Sequence, residues 1–155
     1  MGNKHAKTRA QVRTSEPPKA RPPAQTVLSD HPHFCFEHVD TSTKESYAFA
    51  PAGDGAAEIL KFICEMARLS WGQIEQQETG PPKKRKRKHH SQEIDTVEKC
   101  AQKDLTRRKL ASIFGDAPLF RFRVGGEKRL WGFRKGRVFH VLWWDTKHAV
   151  YKQEK

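Results

Sequence analysis

The sequence predicts an α+β fold, an antiparallel sheet packed against two or three helices, on three observations. Residues 117–155 hold three aromatic-rich strand candidates separated by two glycine-containing reversals, Gly125-Gly126 and Lys135-Gly136. Residues 54–69 carry a broad apolar stripe at helical spacing. Between these two regions lies an uninterrupted run of cations, Lys83 to Lys88, which separates them in sequence. With 155 residues there is room for one compact domain with tails.

The elements follow in order. Residues 1–30 contain Lys4, Lys7, Arg9, Arg13, Lys19 and Arg21, the pairs Pro17-Pro18 and Pro22-Pro23, and no large apolar cluster. Such a segment cannot bury enough surface to offset its ordering entropy, so a disordered basic arm is expected, followed by a single domain over 31–155. His33 to Val39 alternates, with Phe34 and Phe36 on one face, and Tyr47 to Ala50 provides a partner, so an N-terminal hairpin is expected. Asp54 is a suitable N-cap for a helix buried through Ile59, Phe62, Ile63, Met66 and Leu69. Ser70 and Gln73 have capping-box spacing and predict a second, short helix over 71–77. Gly80-Pro81-Pro82 ends it and opens a basic flexible loop over 78–92, because six adjacent like charges repel and remain solvated. A third helical region is expected over 91–114, stopped by Gly115.

A two-residue turn at Lys135-Gly136 sets Trp131 opposite His140 and Arg129 opposite Leu142. A two- or four-residue first turn then places Phe120, Phe122 and Val124 on the Trp131 face, which would pack on the helices. A three-residue turn reverses that parity. The other face would carry Arg121, Arg123, Arg134 and Arg137 among Leu130, Phe139, Val141 and Trp143. Guanidinium groups interleaved with aromatics suit phosphate contacts and base stacking, and equally suit an acidic protein helix. The bland reading of the arginines is a solvated outer face.

Composition narrows the partner class. The formal charge is +12 and the hydrophobic fraction 35%, which favours RNA or another polyanion such as the ribosome over acidic-substrate chemistry. No apolar run is long enough for a membrane span, and the N-terminus shows no secretory h-region, so no membrane contact and a cytoplasmic location are expected. Pro81-Pro82 followed by Lys83, Lys84, Arg85, Lys86, Arg87 and Lys88 resembles a nuclear-import signal, which would place the protein in the nucleus of a eukaryote. In a bacterial or phage protein the same hexad is a sequence-independent phosphate tether. Cys35, Cys64 and Cys100 are widely spaced and predict reduced, buried thiols. His31, His33, Cys35 and His38 lack a second ligand pair at finger-like spacing, and no phosphate-cradling glycine loop or nucleophile elbow occurs, so neither metal nor cofactor is expected.

The closing segment, Arg129-Leu-Trp-Gly-Phe, a short turn, Val138-Phe-His-Val-Leu-Trp-Trp, then Asp145-Thr-Lys-His148-Ala-Val-Tyr151, resembles the final strands of the RelE/ParE-type toxin superfamily. It also resembles small uncharacterised proteins of bacterial and phage origin. The resemblance is confined to the C-terminal strands. It implies a RelE-like sheet, metal-independent endoribonuclease activity and an acidic antitoxin-like partner. Carried residue by residue, it makes Arg129 the strand arginine and His148 and Tyr151 the closing pair. Arg134, Lys147 and His140 join them as candidates by chemistry. Ala149 departs from the basic residue that often follows the histidine, and the N-terminal hairpin is a second departure. Relatives of this class also include proteins that bind RNA without cutting it, so a non-catalytic accessory protein stands as the alternative. Each candidate also has a structural reading: Arg129 pairing with Asp145, His140 as a core histidine, Asp145 as a loop cap, and Tyr151 closing the core with its hydroxyl exposed.

Overall fold

The computed structural model describes residues 28–152; the expected basic arm lies almost entirely outside the described residues. In chain order the first elements are β1 (His33–Cys35), α1 (Gly55–Ala67) and α2 (Trp71–Glu75). Then come β2 (Glu78–Thr79), β3 (Lys86–Arg87), β4 (His90–Gln92), α3 (Lys99–Arg107) and α4 (Ala111–Phe114). The chain closes with the meander β5 (Leu119–Gly125), β6 (Lys128–Lys135) and β7 (Val138–Asp145). The fold is α+β: a five-stranded sheet in the order β1-β7-β6-β5-β4, with β2 and β3 forming a separate hairpin. The sheet is mixed, since β1 runs parallel to β7 while the other pairs are antiparallel.

The first two helices form where expected, although the Asp54 side chain makes no capping hydrogen bond to α1. The stripe of α1 buries Ile59, Phe62 and Met66. At Ser70 the hydroxyl accepts from the Gln73 amide while the Gln73 side chain accepts from the Ser70 amide, closing the capping box that starts α2. The expected helix over 91–114 is shorter and broken. Residues 90–92 are strand β4, a 3₁₀ turn follows at Ile94–Thr96, and helix begins only at Lys99. Lys109 takes φ +53°, so the helix cannot continue through it, and the Leu110 amide closes back on the Leu105 carbonyl.

The N-terminal hairpin does not form. Residues 33–35 take the open edge of β7 instead, and 47–50 form turns. The intervening segment seals β7 beyond β1: Asp40 N–H donates to the Leu142 carbonyl, and Trp144 N–H donates to the Tyr47 carbonyl. Tyr47 is fully buried, its ring 5.0 Å from Trp143 and its hydroxyl donating to Asp104 at 2.6 Å. Burial of the Asp40 carboxyl opposes its ionisation. Hydrogen bonds from Trp143, Ser42 and Thr43 outweigh that and hold its pKa below the ordinary carboxylate value.

Both faces of the sheet are covered. Phe120, Phe122, Leu130, Phe139, Val141 and Trp144 share one core with α1 and α2. Leu119, Trp131, Phe133, Leu142 and Trp143 share the other with α3, α4 and Tyr47. The expected open face of arginines and aromatics therefore does not exist, and two bulges explain why. The first turn is Gly126-Glu127, closed by Gly125 opposite Lys128, and an extra residue at Val124 sets Arg121 opposite Trp131. That one-residue slip moves Arg121 and Arg123 onto the Trp131 face. The second turn is Gly136-Arg137, and an extra residue at Leu142 sets Trp131 opposite Trp143 and Arg129 opposite Asp145. The three cysteines are free, with Cys64 exposed on α1 and the other two half-buried.

Candidate nucleic-acid interface

The basic run, expected as a loop, is ordered by pairing. Glu78 lies opposite Arg87 and Thr79 opposite Lys86, with a 3₁₀ turn at Pro82–Lys84 between the two short strands. Lys83 to Arg87 stay exposed, as repulsion among them requires. His89 anchors the run to the sheet. Its ring is fully buried, 5.2 Å from Phe122 and 5.9 Å from Phe62. Nδ1 accepts the Arg123 amide at 3.0 Å, so Nε2 carries the proton and donates to Gln77 Oε1 at 3.1 Å. Burial, reinforced by Lys88, His90 and Arg129, pushes its pKa down to about 3, so the ring is neutral at physiological pH. His90 to Gln92 then pair with β5, which brings the hexad beside the arginines of the meander.

Three of those arginines converge. Arg121 is 8% exposed and donates through Nε and Nη2 to His90 Nε2, at 3.1 and 2.6 Å. Its guanidinium carbon lies 5.4 Å from the Tyr151 ring centre and 5.9 Å from that of Trp131. Its Nη1 is buried without a hydrogen-bond partner. Arg123 donates to Thr79 Oγ1 at 3.2 Å, tying the hairpin to β5. Arg129, also 8% exposed, donates to the carbonyls of Gly126 and Lys128 at 2.7 and 3.0 Å. Arg123 and Arg129 sit directly opposite each other across β5 and β6, an arrangement that destabilises a sheet. Burial, together with Arg121 and Arg123, pushes the Arg129 pKa down to about 10. Burial likewise lowers that of Arg121.

These groups line a cleft of about 420 Å³ with Lys84, Lys86, Arg87 and Lys88 on the hairpin side, and with His90, Gln92, His148 and Tyr151. Seven arginines and lysines contribute and no aspartate or glutamate does. Asp145, the register partner of Arg129, is fully buried and turned to the loop behind it. Its oxygens accept the amides of Lys147, Ala149 and Val150 at 3.2, 2.9 and 2.9 Å. That cap holds His148 at φ +57° and brings it and Tyr151 to the cleft. The expected role of Asp145 as a loop cap is what the structure shows. A second cavity of about 450 Å³ has the opposite character, lined by Glu45, Asp54, Glu58 and Trp144, with Lys128 paired to Glu58 at 2.7 Å.

The structure therefore brings Arg129, His148 and Tyr151 together with Lys84, Lys86, Arg87, Lys88, Arg121 and Arg123. Arg134 is not with them. It faces the other core, its guanidinium 4.0 Å over the Trp71 ring and ion-paired with Glu75. Trp143 is fully buried and offers no surface to a base. Arg137 is exposed in the β6–β7 turn, where its carbonyl accepts from Trp71 Nε1. Lys83, Arg85 and Lys147 are exposed but do not line the cleft. His140 packs 4.9 Å from Phe114 and 5.7 Å from His38, outside the cleft. His90, Gln92 and Thr79 were not among the expected residues. The only signal for His90 was its place next to the hexad.

No protein-family model matches this chain, and neither does any curated protein or solved structure. The cleft must be read from its own chemistry. Among the described residues, no helix is long and apolar enough to cross a membrane, and no three His, Cys, Asp or Glu side chains form a group able to hold a metal ion.

Proposed function

We propose that the chain binds single-stranded RNA in this cleft, with the exposed hairpin extending the contact along the strand. The observation that carries the reading is a cavity lined by seven cations that no lining carboxylate neutralises. The three arginines donate to neutral acceptors only, an imidazole, a hydroxyl and two carbonyls, while Asp145 and Glu127 act on Arg129 through space without a hydrogen bond. Beyond the cleft Lys83 and Arg85 add exposed charge, Arg85 partly shared with Glu78 at 3.8 Å, which suits a polymer better than a single small anion. The cleft, of about 420 Å³, has room for part of a single strand. Tyr151, at the wall beside Arg121, offers a ring for base stacking. The choice of RNA over DNA rests on the resemblance of the closing strands. With both faces of the sheet occupied, an acidic protein helix would have to use this cleft and not a sheet face.

The test is the salt dependence of binding to an oligoribonucleotide, with the DNA strand of the same sequence as control. Contact with about four phosphates gives a log–log slope of roughly −3. Changing Lys84 and Lys86 together to glutamine should make that slope shallower by about 1.4 and weaken all sequences alike. A slope near zero sinks the reading.

Toxin-type cleavage is the second reading, favoured by the convergence of Tyr151 and His148 on Arg121 and Arg129. The 2′-oxygen would attack the adjacent phosphate, the 5′-oxygen would leave, and a 2′,3′-cyclic phosphate would remain. Arg121 and Arg129 would stabilise the added negative charge while Tyr151 or His148 moves the proton. Incubation with RNA in chelator should then yield cyclic-phosphate ends, reduced at least a hundredfold with binding retained in whichever of Tyr151→Phe and His148→Ala removes the proton carrier. Intact RNA after prolonged incubation leaves binding alone.

A further inference from the structure

Resting on that RNA reading, we infer that the floor of the cleft receives a terminal phosphomonoester, the phosphorylated end of a strand, in preference to an internal phosphodiester. The floor is Arg121. It is more than nine-tenths buried, yet its Nη1 has no partner, so a charged donor sits desolvated with nothing to satisfy it. A buried donor left in this state is costly, and an incoming oxyanion relieves the cost. The rest of the guanidinium is held from behind, because Nε and Nη2 both donate to His90 Nε2. His90 Nδ1 in turn lies 2.9 Å from the Ser91 carbonyl, which fixes the proton on Nδ1 and keeps Nε2 an acceptor. Arg121 is thereby fixed, and Nη1 is the one nitrogen of its guanidinium without a partner, on a side chain that lines the cleft.

Two features favour an end over an internal linkage. The first is charge. Arg121, Arg123 and Arg129 adjoin one another with no ion-paired carboxylate, and Arg123 faces Arg129 directly across the strands. An internal phosphodiester brings one negative charge and two free oxygens. A terminal monoester brings about −1.5 to −2 at pH 7 and three free oxygens, which compensates a three-arginine cluster far better. The second is access. A phosphodiester carries a ribose on each side, and both would have to approach a side chain that is more than nine-tenths buried. A terminal phosphate carries one.

The experiment is calorimetric titration of the full chain with one short oligoribonucleotide in three forms: 5′-phosphate, 3′-phosphate, and hydroxyls at both ends. RNA integrity is checked after each run. One phosphorylated form is expected to bind at least tenfold more tightly than the hydroxyl form, and which one identifies the end. In Arg121→Lys, which keeps a charge but loses the fork, that preference should fall below threefold. Arg123→Gln, at a less buried position, should also reduce it, and serves if the Arg121 variant does not fold. Wild-type binding of all three forms within threefold overturns end recognition and leaves RNA binding standing. Absence of binding by any form overturns the RNA reading, and the inference with it.

Discussion

Replacing Arg129 with glutamine is expected to lower RNA affinity about thirtyfold to a hundredfold while leaving the folded protein as stable or more so. The two effects have opposite sign for one physical reason. Arg129 is almost fully buried, faces Arg123 across the sheet, and has its pKa pushed down to about 10 by burial and by its arginine neighbours. A base whose pKa falls on folding is one whose charge opposes the fold at every pH below that value, including neutral pH. Removing the charge relieves that opposition and also the cross-strand repulsion, worth about 0.5 kcal/mol. The loss of two hydrogen bonds to carbonyls offsets part of the gain. For a bound phosphate the same substitution removes a charge-assisted contact, about 2–2.7 kcal/mol, which is the stated loss in affinity. Urea unfolding and RNA titration on the same preparation check both halves. Parallel loss of stability and affinity would mean that Arg129 is a structural residue.

Gly132→Ala is expected to destabilise the fold by at least about 3 kcal/mol, or to prevent folding, without any special effect on RNA binding in whatever remains folded. Gly132 is in the centre of β6, where glycine ordinarily weakens a strand. Here the bulge at Leu142 draws β7 close. A Cβ on Gly132 would overlap the His140 carbonyl oxygen, and it would lie 2.8 Å from the Phe139 ring. The carbonyl belongs to the backbone of a central strand, so neither side can yield without breaking the ladder. Thermal unfolding of the variant measures this directly. A transition close to that of the wild type would show that the bulge relaxes, and with it the register that aligns Arg129 with Asp145.

How far the residues foretold this arrangement depends on how local each signal was. The stripe of α1, the Ser70–Gln73 capping box and the three strands of the meander are written in neighbouring residues, and they appear where their spacing places them. The faces of the sheet are not local. Single extra residues at Val124 and Leu142 reverse side-chain parity, and nothing in Val-Gly-Gly or Val-Leu-Trp-Trp marks a bulge before the strands pair. Strand β4 was missed because three residues, His90 to Gln92, carry no alternation; its existence depends on the unpaired edge of β5. The hexad was legible as charge but not as structure, since its anchor is one buried histidine held by Gln77 and the Arg123 amide. The cleft itself joins residues 79–92, 121–129 and 148–151. Its arginines could be named from the sequence, and so could His148 and Tyr151 by resemblance. Arg134 was assigned to the arginines' surface only because the wrong parity placed it there, whereas Trp143 does share the face of Arg121 but is buried under α3, α4 and Tyr47.

The claim that RNA enters this cleft is tested most directly by crosslinking a 4-thiouridine oligoribonucleotide to the full chain and mapping the modified peptides by mass spectrometry. Crosslinks concentrated on residues 84–92 and on His148 and Tyr151, and lost on competition with unlabelled RNA, are the predicted result. Specific crosslinks clustered instead around Trp144 and the acidic cavity, with none on the hairpin or the closing loop, would contradict it.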